Sequence, residues 1–204
     1  MENKNHWYDG FIYDKFVAPF QDAAFKTIFD NIEQGKTLLD VGTGTGRFAF
    51  QAAKIMSKVD AVDLSIKNIN VANGKLLTSE ITNLNFYHQN VLDFLKFSNE
   101  KYDYITMSYV IHEIDNELRE EIMLKLADSC NYLVIAEFLH PRPKHIRSLM
   151  NEVVEFFAGA EHYRNFKNFI AGGGSIGLAN RNNLQIIKEI KNNPITSQIL
   201  FVKK

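Results

Sequence analysis

The sequence predicts an α/β fold in which helices cover both faces of a mostly parallel, doubly wound sheet. Short apolar runs, typical of buried strands, alternate with amphipathic stretches along most of the 204 residues. Strands that are separated by helices form right-handed crossovers, so their sheet is parallel. The C-terminal part instead has two strand-like runs in succession, which predicts an antiparallel hairpin.

Seven strands are predicted in all. The five strands of the parallel part are residues 37–42 (TLLDVG), 59–65, 85–91, 102–108 and 132–138. The hairpin strands are residues 184–190 and 197–203, and they flank the turn residues Asn192-Asn193-Pro194.

Helices are predicted between the strands. The clearest one covers residues 115–128, with Asp115 as its N-cap and with Leu118, Ile122 and Leu126 on one face. Residues 146–157 also keep a helical spacing of apolar side chains, which predicts a helix that packs its apolar face onto the sheet.

The composition indicates a single domain that handles neither nucleic acid nor a membrane. Lys and Arg together number 23 and Asp and Glu number 24, so there is no basic surface of the kind that binds nucleic acid. No run of about 18 apolar residues is present to span a membrane. Cys130 is the only cysteine, which excludes an internal disulfide and favours a cytoplasmic location.

A glycine-rich stretch follows the first strand. Residues 38–48 read LLDVGTGTGRF, with Gly42, Gly44 and Gly46 at alternate positions between a strand and a helix. Glycine lets the backbone turn tightly and approach a ligand closely, because no Cβ intervenes. In a doubly wound sheet, ligands bind at this edge, outside the carboxyl ends of the strands. The stretch is therefore predicted to bind a ligand.

The residues around the glycines indicate which ligand. A phosphate-binding P-loop ends in Gly-Lys-Ser/Thr, whereas this loop ends in Gly46-Arg47-Phe48. The dinucleotide fingerprint requires its third glycine one residue later. Asp40, just before the loop, would repel a pyrophosphate and would suit a cation. S-adenosylmethionine carries an ammonium and a sulfonium but no phosphate, so it is favoured over NAD.

The second strand supplies another carboxylate. Asp63 lies near its end, 21 residues beyond Gly42. A carboxylate at this position can accept hydrogen bonds from both ribose hydroxyls of an adenosine. NAD enzymes use the same device, so Asp63 supports an adenosine without choosing between the two cofactors.

Residues 35–140 resemble the class I S-adenosylmethionine-dependent methyltransferases. LLDVGTGTGRF is similar to their first motif and VDAVDLS to their second. YHQNVLDF resembles the third-strand motif, although Asn90 stands where the family usually has Asp. YDYITMSYVIHEI is similar to the fourth-strand motif of the small-molecule branch, which includes the quinone C-methyltransferases of ubiquinone and menaquinone synthesis.

The resemblance implies a Rossmann-like sheet of seven strands, the last of them antiparallel, in one domain. Its parts are a helical lid (1–34), a cofactor-binding core (35–140), an inserted substrate-recognition segment (141–180) and the hairpin (181–204). With the loop argument, it implies binding of S-adenosylmethionine and of the product S-adenosylhomocysteine. The predicted cofactor-binding residues are Asp40, Gly42, Thr43, Gly44, Gly46, Asp63, Leu64, Asn90, Val91, Ser108 and Tyr13.

Histidines are the candidates for catalysis on the acceptor side. A phenol has a pKa of about 10, so an oxygen acceptor benefits from a base that works near pH 7. His112 follows the fourth strand, His140 follows the fifth, and His162 lies in the inserted segment. We expect His162 to remove the proton and His112 to orient the acceptor. Glu113 and Asp115 fit a helix start, so no metal is expected.

The predicted function is methyl transfer to an oxygen or carbon atom of a small aromatic or apolar molecule, by a monomer or homodimer. Three alternatives stay open at this point. They are an NAD-dependent oxidoreductase, an adenosylmethionine-binding protein without catalytic activity, and a methyltransferase for protein or RNA. The balanced charge disfavours the last of these.

Overall fold

The computed structural model describes residues 21–98, 100–191 and 195–204. Within these ranges the chain forms one seven-stranded sheet. Its strands are β1 (Thr37–Val41), β2 (Lys58–Asp63), β3 (Leu84–His88), β4 (Tyr102–Ser108), β5 (Cys130–Phe138), β6 (Gln185–Lys191) and β7 (Ser197–Lys203). Tyr13 and most of the predicted lid lie outside the described residues, as does the turn 192–194.

The strand order is β3-β2-β1-β4-β5-β7-β6. Strands β1 to β5 pair in parallel, and β7 pairs antiparallel with both β5 and β6. The predicted doubly wound, mostly parallel sheet and its C-terminal hairpin are thus confirmed. The order reverses direction between β1 and β4, and such a switch point opens a crevice outside the carboxyl ends of the strands.

Eight helices connect or flank the described strands. They are α1 (Asp22–Phe29), α2 (Arg47–Ala52), α3 (Ile66–Leu77), α4 (Val91–Phe97), α5 (Asn116–Asp128), α6 (Ile146–Ala158), α7 (Ala160–Ala171) and α8 (Gly174–Arg181). Helix α5 confirms the clearest helix prediction, and Asp115 is its N-cap residue, although the Asp115 side chain makes no capping hydrogen bond. In these ranges no helix has both the length and the apolar character needed to cross a lipid bilayer.

The sheet separates two apolar cores, because successive side chains of a strand point to opposite faces. Leu39 of β1 belongs to one core, where it is buried with Ile122 of α5. Its neighbour Leu38 belongs to the other core, with Ile28 of α1 and Phe48 of α2. This sandwich of helices and sheet holds the loops at the carboxyl edge in place, and those loops form the site.

Helix α6 departs from the expectation that its apolar side chains pack onto the sheet. That prediction is wrong, because the helix packs mainly against α7, and Ser148 and Glu155 are its buried side chains. The apolar side chains lie on the opposite, exposed face: Ile146, Leu149, Met150, Val153, Val154, Phe156 and Phe157. The spacing correctly predicted a helix, but the face that is buried is the one with Glu155, whose partners are described below.

Candidate active site

A cavity of about 430 Å³ opens at the carboxyl edge of the sheet, at the switch point between β1 and β4. The side predicted to bind the cofactor, here called the cofactor wall, consists of the end of β1 with the loop after it (residues 40–45) and the end of β2 (residues 62–65). The side with the predicted catalytic residues, here called the acceptor wall, consists of the end of β4 with the loop after it (residues 108–115) and the start of α7 (residues 159–165). The two walls differ in how they are built and in the chemistry they present.

The glycine loop turns with backbone angles that other residues rarely adopt. Gly42 has φ 70° and Gly44 has φ 56°. A Cβ on Gly42 would lie 2.3 Å from a Val110 methyl carbon, so this position has no room for a side chain. A Cβ on Gly44 would meet no protein atom within 4 Å, because Gly44 borders the open cavity. The loop thus presents bare backbone to whatever the cavity binds.

Asp63 is held in a fixed orientation at the end of β2. Its Oδ2 atom accepts a hydrogen bond from the Gly44 N–H at 2.8 Å, and its Oδ1 atom accepts one from the Ser65 N–H at 2.8 Å. The carboxylate therefore connects the glycine loop to the end of β2 and lines the cavity between them. This is the position from which a carboxylate can receive ribose hydroxyls.

Asp40 places a buried carboxylate below the glycine loop. The Thr106 hydroxyl donates a 2.9 Å hydrogen bond to Asp40 Oδ1, while Oδ2 and the Thr43 hydroxyl have no hydrogen-bond partner among the described residues. Burial raises the pKa of Asp40 to about 7, and the nearby hydroxyls of Thr43 and Thr106 offset only part of that rise. A buried acceptor without a partner is costly, so this wall is suited to a donor from a ligand, above all a cationic one.

The cavity brings together most of the residues predicted to bind the cofactor. Those that line it are Asp40, Gly42, Thr43, Gly44, Asp63, Leu64, Val91 and Ser108. Gly46 instead starts helix α2, and Asn90 caps helix α4 by accepting a hydrogen bond from the Leu92 N–H at 2.8 Å. Gln89, the neighbour of Asn90, lines the cavity. Tyr13 lies outside the described residues.

Both predicted catalytic histidines lie at the acceptor wall, and their rings are 5.6 Å apart between centroids. His112 is buried behind the wall, and its Nδ1–H donates to the two Glu137 oxygens at 2.8 and 3.0 Å. Burial favours the neutral ring of His112. The carboxylates of Glu137 and Glu155 outweigh that effect and hold the pKa of His112 well above its ordinary value.

His162 lines the cavity and is bonded to a buried glutamate. Its Nε2 atom lies 2.5 Å from Glu155 Oε2. Burial would raise the pKa of Glu155, but the charge of His112 and the hydrogen bonds to both histidines outweigh it and lower that pKa to about 2. Glu113 completes the group, with Oε1 at 3.9 Å from His162 Nε2 and 4.0 Å from His112 Nε2. His140, the third candidate histidine, is not among the residues that line the cavity.

Two polar side chains attach helix α7 to the loop after β4. The buried Arg119 of α5 donates to the carbonyl oxygens of Ile111 and His112 at 3.0 Å each, and to that of Asn165 at 2.5 Å. The Asn165 amide in turn donates to the Glu113 carbonyl oxygen at 2.9 Å. The acceptor wall therefore depends on contacts between segments that are far apart in the sequence.

Several residues of this wall were missed by the sequence analysis. Glu137 had a usable signal, since it is a charged residue within the apolar strand β5. Glu155 had no such signal in the sequence, because it resembles any solvent-exposed acidic residue on an amphipathic helix. Tyr109 also lines the cavity and has φ 58°, a strained conformation for a bulky residue that is found disproportionately at functional sites.

Comparison with known proteins agrees with the fold. A family model described as a methyltransferase domain matches residues 32–188. A Geobacillus sp. (strain WCH70) protein with a provisional methyltransferase name is 30% identical over 125 residues, 58% of this chain and 49% of that protein. An Escherichia coli rRNA adenine N-6-methyltransferase is 25% identical over 112 residues, 55% of this chain and 44% of that one.

A third relative comes from quinone synthesis. The ubiquinone/menaquinone biosynthesis C-methyltransferase of Saccharophagus degradans is 24% identical over 138 residues, 66% of this chain and 54% of that protein. The chain thus spans about half the length of the curated relatives it matches.

A solved structure shares the fold over nearly the whole chain. The magnesium protoporphyrin IX methyltransferase of Synechocystis PCC 6803, determined with bound S-adenosylhomocysteine, superimposes with a TM-score of 0.63 at 19% identity. The match covers 97% of this chain and 91% of that one.

Proposed function

Since this chain belongs to the methyltransferase domain family and has the class I fold, we propose that it transfers a methyl group from S-adenosylmethionine to a small molecule. The observation that carries this proposal is the cavity of about 430 Å³ between two unlike walls. One wall offers bare backbone and two carboxylates, which suits a cationic nucleoside. The other offers histidines and glutamates, which suit an acceptor that must lose a proton.

The cofactor wall fits S-adenosylmethionine on its own chemistry. Asp40 Oδ2 needs a hydrogen-bond donor, and the ammonium of the methionine part provides one. Asp63 receives the ribose hydroxyls, and the open side of Gly44 accommodates the chain that joins the ribose to the methionine part. When bound, the cofactor supplies an activated methyl group on a sulfonium.

The acceptor wall would handle the proton of the acceptor. His162 faces the cavity and accepts the proton, and the buried carboxylate of Glu155 beside its Nε2 atom stabilises the charged ring that results. His112 stands behind it, held by Glu137, and orients the acceptor side. The remaining task of the walls is to align the two reactants at close distance and exclude water.

Two observations favour a small acceptor over RNA, despite the rRNA methyltransferases among the relatives. Lys and Arg do not exceed Asp and Glu, so the chain as a whole is not basic enough to bind a phosphate backbone. Enzymes that methylate exocyclic amines of bases typically have Asp/Asn-Pro-Pro-aromatic after the fourth strand. This chain has Met107-Ser108-Tyr109-Val110 there. An aromatic or apolar metabolite with an oxygen or carbon acceptor fits better.

The direct test combines cofactor binding with a search for the acceptor. Calorimetry should detect S-adenosylhomocysteine binding in the micromolar range, about −8 kcal/mol, with no competition by NAD. A metabolite extract incubated with methyl-labelled S-adenosylmethionine should give a labelled small molecule, identified by mass. Asp63→Ala should abolish both signals.

Other outcomes identify the alternatives. Binding of NAD without S-adenosylhomocysteine would indicate the oxidoreductase. Binding of S-adenosylhomocysteine with no labelled product from metabolite, RNA and protein fractions would indicate a non-catalytic protein. Label confined to RNA or protein would overturn the small-molecule acceptor.

A further inference from the structure

Two histidines and three glutamates meet beside the cavity, and the cofactor needs none of them. They come from four elements: His112 and Glu113 from the loop after β4, Glu137 from β5, Glu155 from α6 and His162 from α7. Both histidines, Glu137 and Glu155 are at most 7% exposed. Such a concentration of ionisable groups in a protein interior is costly unless something compensates it.

The orientation of His112 indicates what is missing. Its Nδ1–H is used by Glu137, so in the neutral ring the other nitrogen, Nε2, carries a lone pair. That lone pair is directed at acceptors only, since Glu155 Oε2 lies at 3.5 Å and Glu113 Oε1 at 4.0 Å. A ring nitrogen and two carboxylate oxygens that converge on one point can share a proton there or bind a metal ion in its place.

The charge balance admits a cation at this point. The three carboxylates that contact the two imidazoles carry three negative charges when ionised. The nearby guanidinium of Arg119 is bonded to the backbone carbonyls of Ile111, His112 and Asn165. A divalent cation would supply two positive charges while both rings stay neutral, and imidazoles that bind a metal are neutral.

The distances are close to those of a coordination sphere. The ligating atoms of His112, Glu113 and His162 all lie within 4.8 Å of one another. Ligand atoms that are bound at about 2.1 Å around a tetrahedral ion are about 3.4 Å apart. The separations of 3.5, 3.9 and 4.0 Å found here need only a small contraction. The short His162–Glu155 hydrogen bond would open as the ion replaces its proton.

We propose that His112, Glu113, His162 and Glu155 bind one divalent first-row transition-metal ion at the acceptor wall. Glu137 is the positioning residue, because a carboxylate on the far nitrogen of a metal-bound histidine fixes its tautomer and orientation. Imidazole ligands favour Zn²⁺ or Fe²⁺ over Mg²⁺ or Ca²⁺, and the two carboxylates also admit Mn²⁺. The sequence analysis expected no metal, since Glu113 fits a helix start.

The role of the ion, though not its binding, rests on the proposed function. The ion would hold an acceptor hydroxyl and lower its pKa, so that the proton is released to water. The acceptor oxygen then bonds to the methyl carbon as the carbon–sulfur bond breaks, and the sulfur keeps the electron pair. His162 would serve as a ligand in this form of the enzyme rather than as the base.

Metal binding can be tested without any acceptor. The full chain is stripped with a chelator, dialysed, and titrated separately with Zn²⁺, Mn²⁺ and Fe²⁺, the last under anaerobic conditions, with calorimetry and elemental analysis as readouts. One ion per chain is expected, with a rise in unfolding temperature as the ion is added. Absence of saturable binding of all three ions would overturn the proposal.

Variants locate the site. Glu113→Gln and His162→Gln should each weaken binding by at least about tenfold, and Glu137→Gln should weaken it about 10–100-fold without removing a ligand. His145→Asn, at an exposed position, is the matched control and should bind the metal ion with wild-type affinity. Since buried positions can fail to fold, each variant is first compared with the chelated wild type by circular dichroism. Glu113, with 38% of its side chain exposed, is the substitution least prone to that failure. Equal affinity in Glu113→Gln and Glu137→Gln would place the ion elsewhere.

Calorimetry with S-adenosylhomocysteine on the same samples separates this proposal from the proposed function. S-adenosylhomocysteine binding without metal binding would refute the metal site and leave methyl transfer intact. Metal binding without S-adenosylhomocysteine binding would support the metal site and refute methyl transfer.

Discussion

The two walls of the cavity are assembled in opposite ways. The cofactor wall is formed by two strand ends and the turns that directly follow them, and its groups are mainly backbone with two carboxylates. The acceptor wall is formed by a loop, a strand and two helices, and its groups are side chains that hold one another in place. The first is local in the sequence, whereas the second exists only after the chain has folded.

This difference indicates where the chemistry can vary. A wall made of backbone binds a common cofactor whatever the neighbouring side chains are. A wall made of interlocked side chains can be changed residue by residue to suit a particular acceptor. If the two walls differ in this way, substitutions in the cofactor wall should affect cofactor binding and spare the acceptor, and substitutions in the acceptor wall should do the opposite.

The largest effect is expected at the acceptor wall. His162→Gln keeps a hydrogen-bonding group but removes the imidazole, and loss of such a group typically lowers the rate about 10²–10⁴-fold. S-adenosylhomocysteine affinity should not change. The measurement is the single-turnover rate with the acceptor found by labelling, with His145→Asn as the control. An unchanged rate in His162→Gln would leave catalysis to proximity alone.

Arg119→Met should loosen the acceptor wall as a structure. It leaves three carbonyl oxygens without their buried donor, so the free energy of unfolding should fall by about 3 kcal/mol. Urea denaturation measures this loss. Arg181→Met, which removes an exposed ion pair with Glu120, should have an effect of about 1 kcal/mol or less. A similar loss in the two variants would mean that Arg119 does not hold the wall together.

The cofactor wall should respond to Gly44→Val. The valine projects into the cavity, and S-adenosylhomocysteine should bind about tenfold more weakly or worse, about 1.4 kcal/mol. Gly35→Val is a close match, because Gly35 has φ 74° and equally open surroundings but does not line the cavity. Both variants should lose similar stability in urea. Equal affinities in calorimetry would show that the glycines only turn the chain.

The smallest effect concerns pH and Asp40. Because burial raises the pKa of Asp40 to about 7, the fraction of Asp40 that is ionised grows as pH rises from 5.5 to 7.5. The affinity for S-adenosylhomocysteine should therefore rise about tenfold.

The stability of the cofactor-free protein should change with pH in the opposite direction. The folded state binds the proton more tightly, so this contribution to stability is complete below about pH 4 and is lost as pH rises through 7. Asp40→Asn should flatten both profiles, and a slope that persists in that variant would assign it to another group.

Prediction from sequence succeeded where structure is encoded locally. All seven strands were placed within three residues, because buried strands are short apolar runs with clear ends. The sequence also indicated Gly42, Gly44, Asp40 and Asp63, which line the cavity, since each lies within three residues of the end of β1 or β2.

Prediction failed where tertiary contacts decide. The face of α6 that is buried could not be read from its apolar spacing, because the buried Glu155 selects that face through His162. The pairing of Glu137 with His112 joins residues 25 apart on different elements. Asn90 stays a predicted cofactor-binding residue, and the structure adds that its side chain caps helix α4, a local contact that the motif alone did not indicate.

The contact between Gly42 and Val110 joins the loop of the cofactor wall to the loop of the acceptor wall. The Val110 side chain fills the space that a Cβ on Gly42 would need, and His112 follows two residues later. Any shift of the first loop on cofactor binding would therefore reach the second loop through this contact. A linkage of this kind between the affinities of cofactor and acceptor is reciprocal: whatever factor the cofactor imposes on the acceptor, the acceptor imposes on the cofactor.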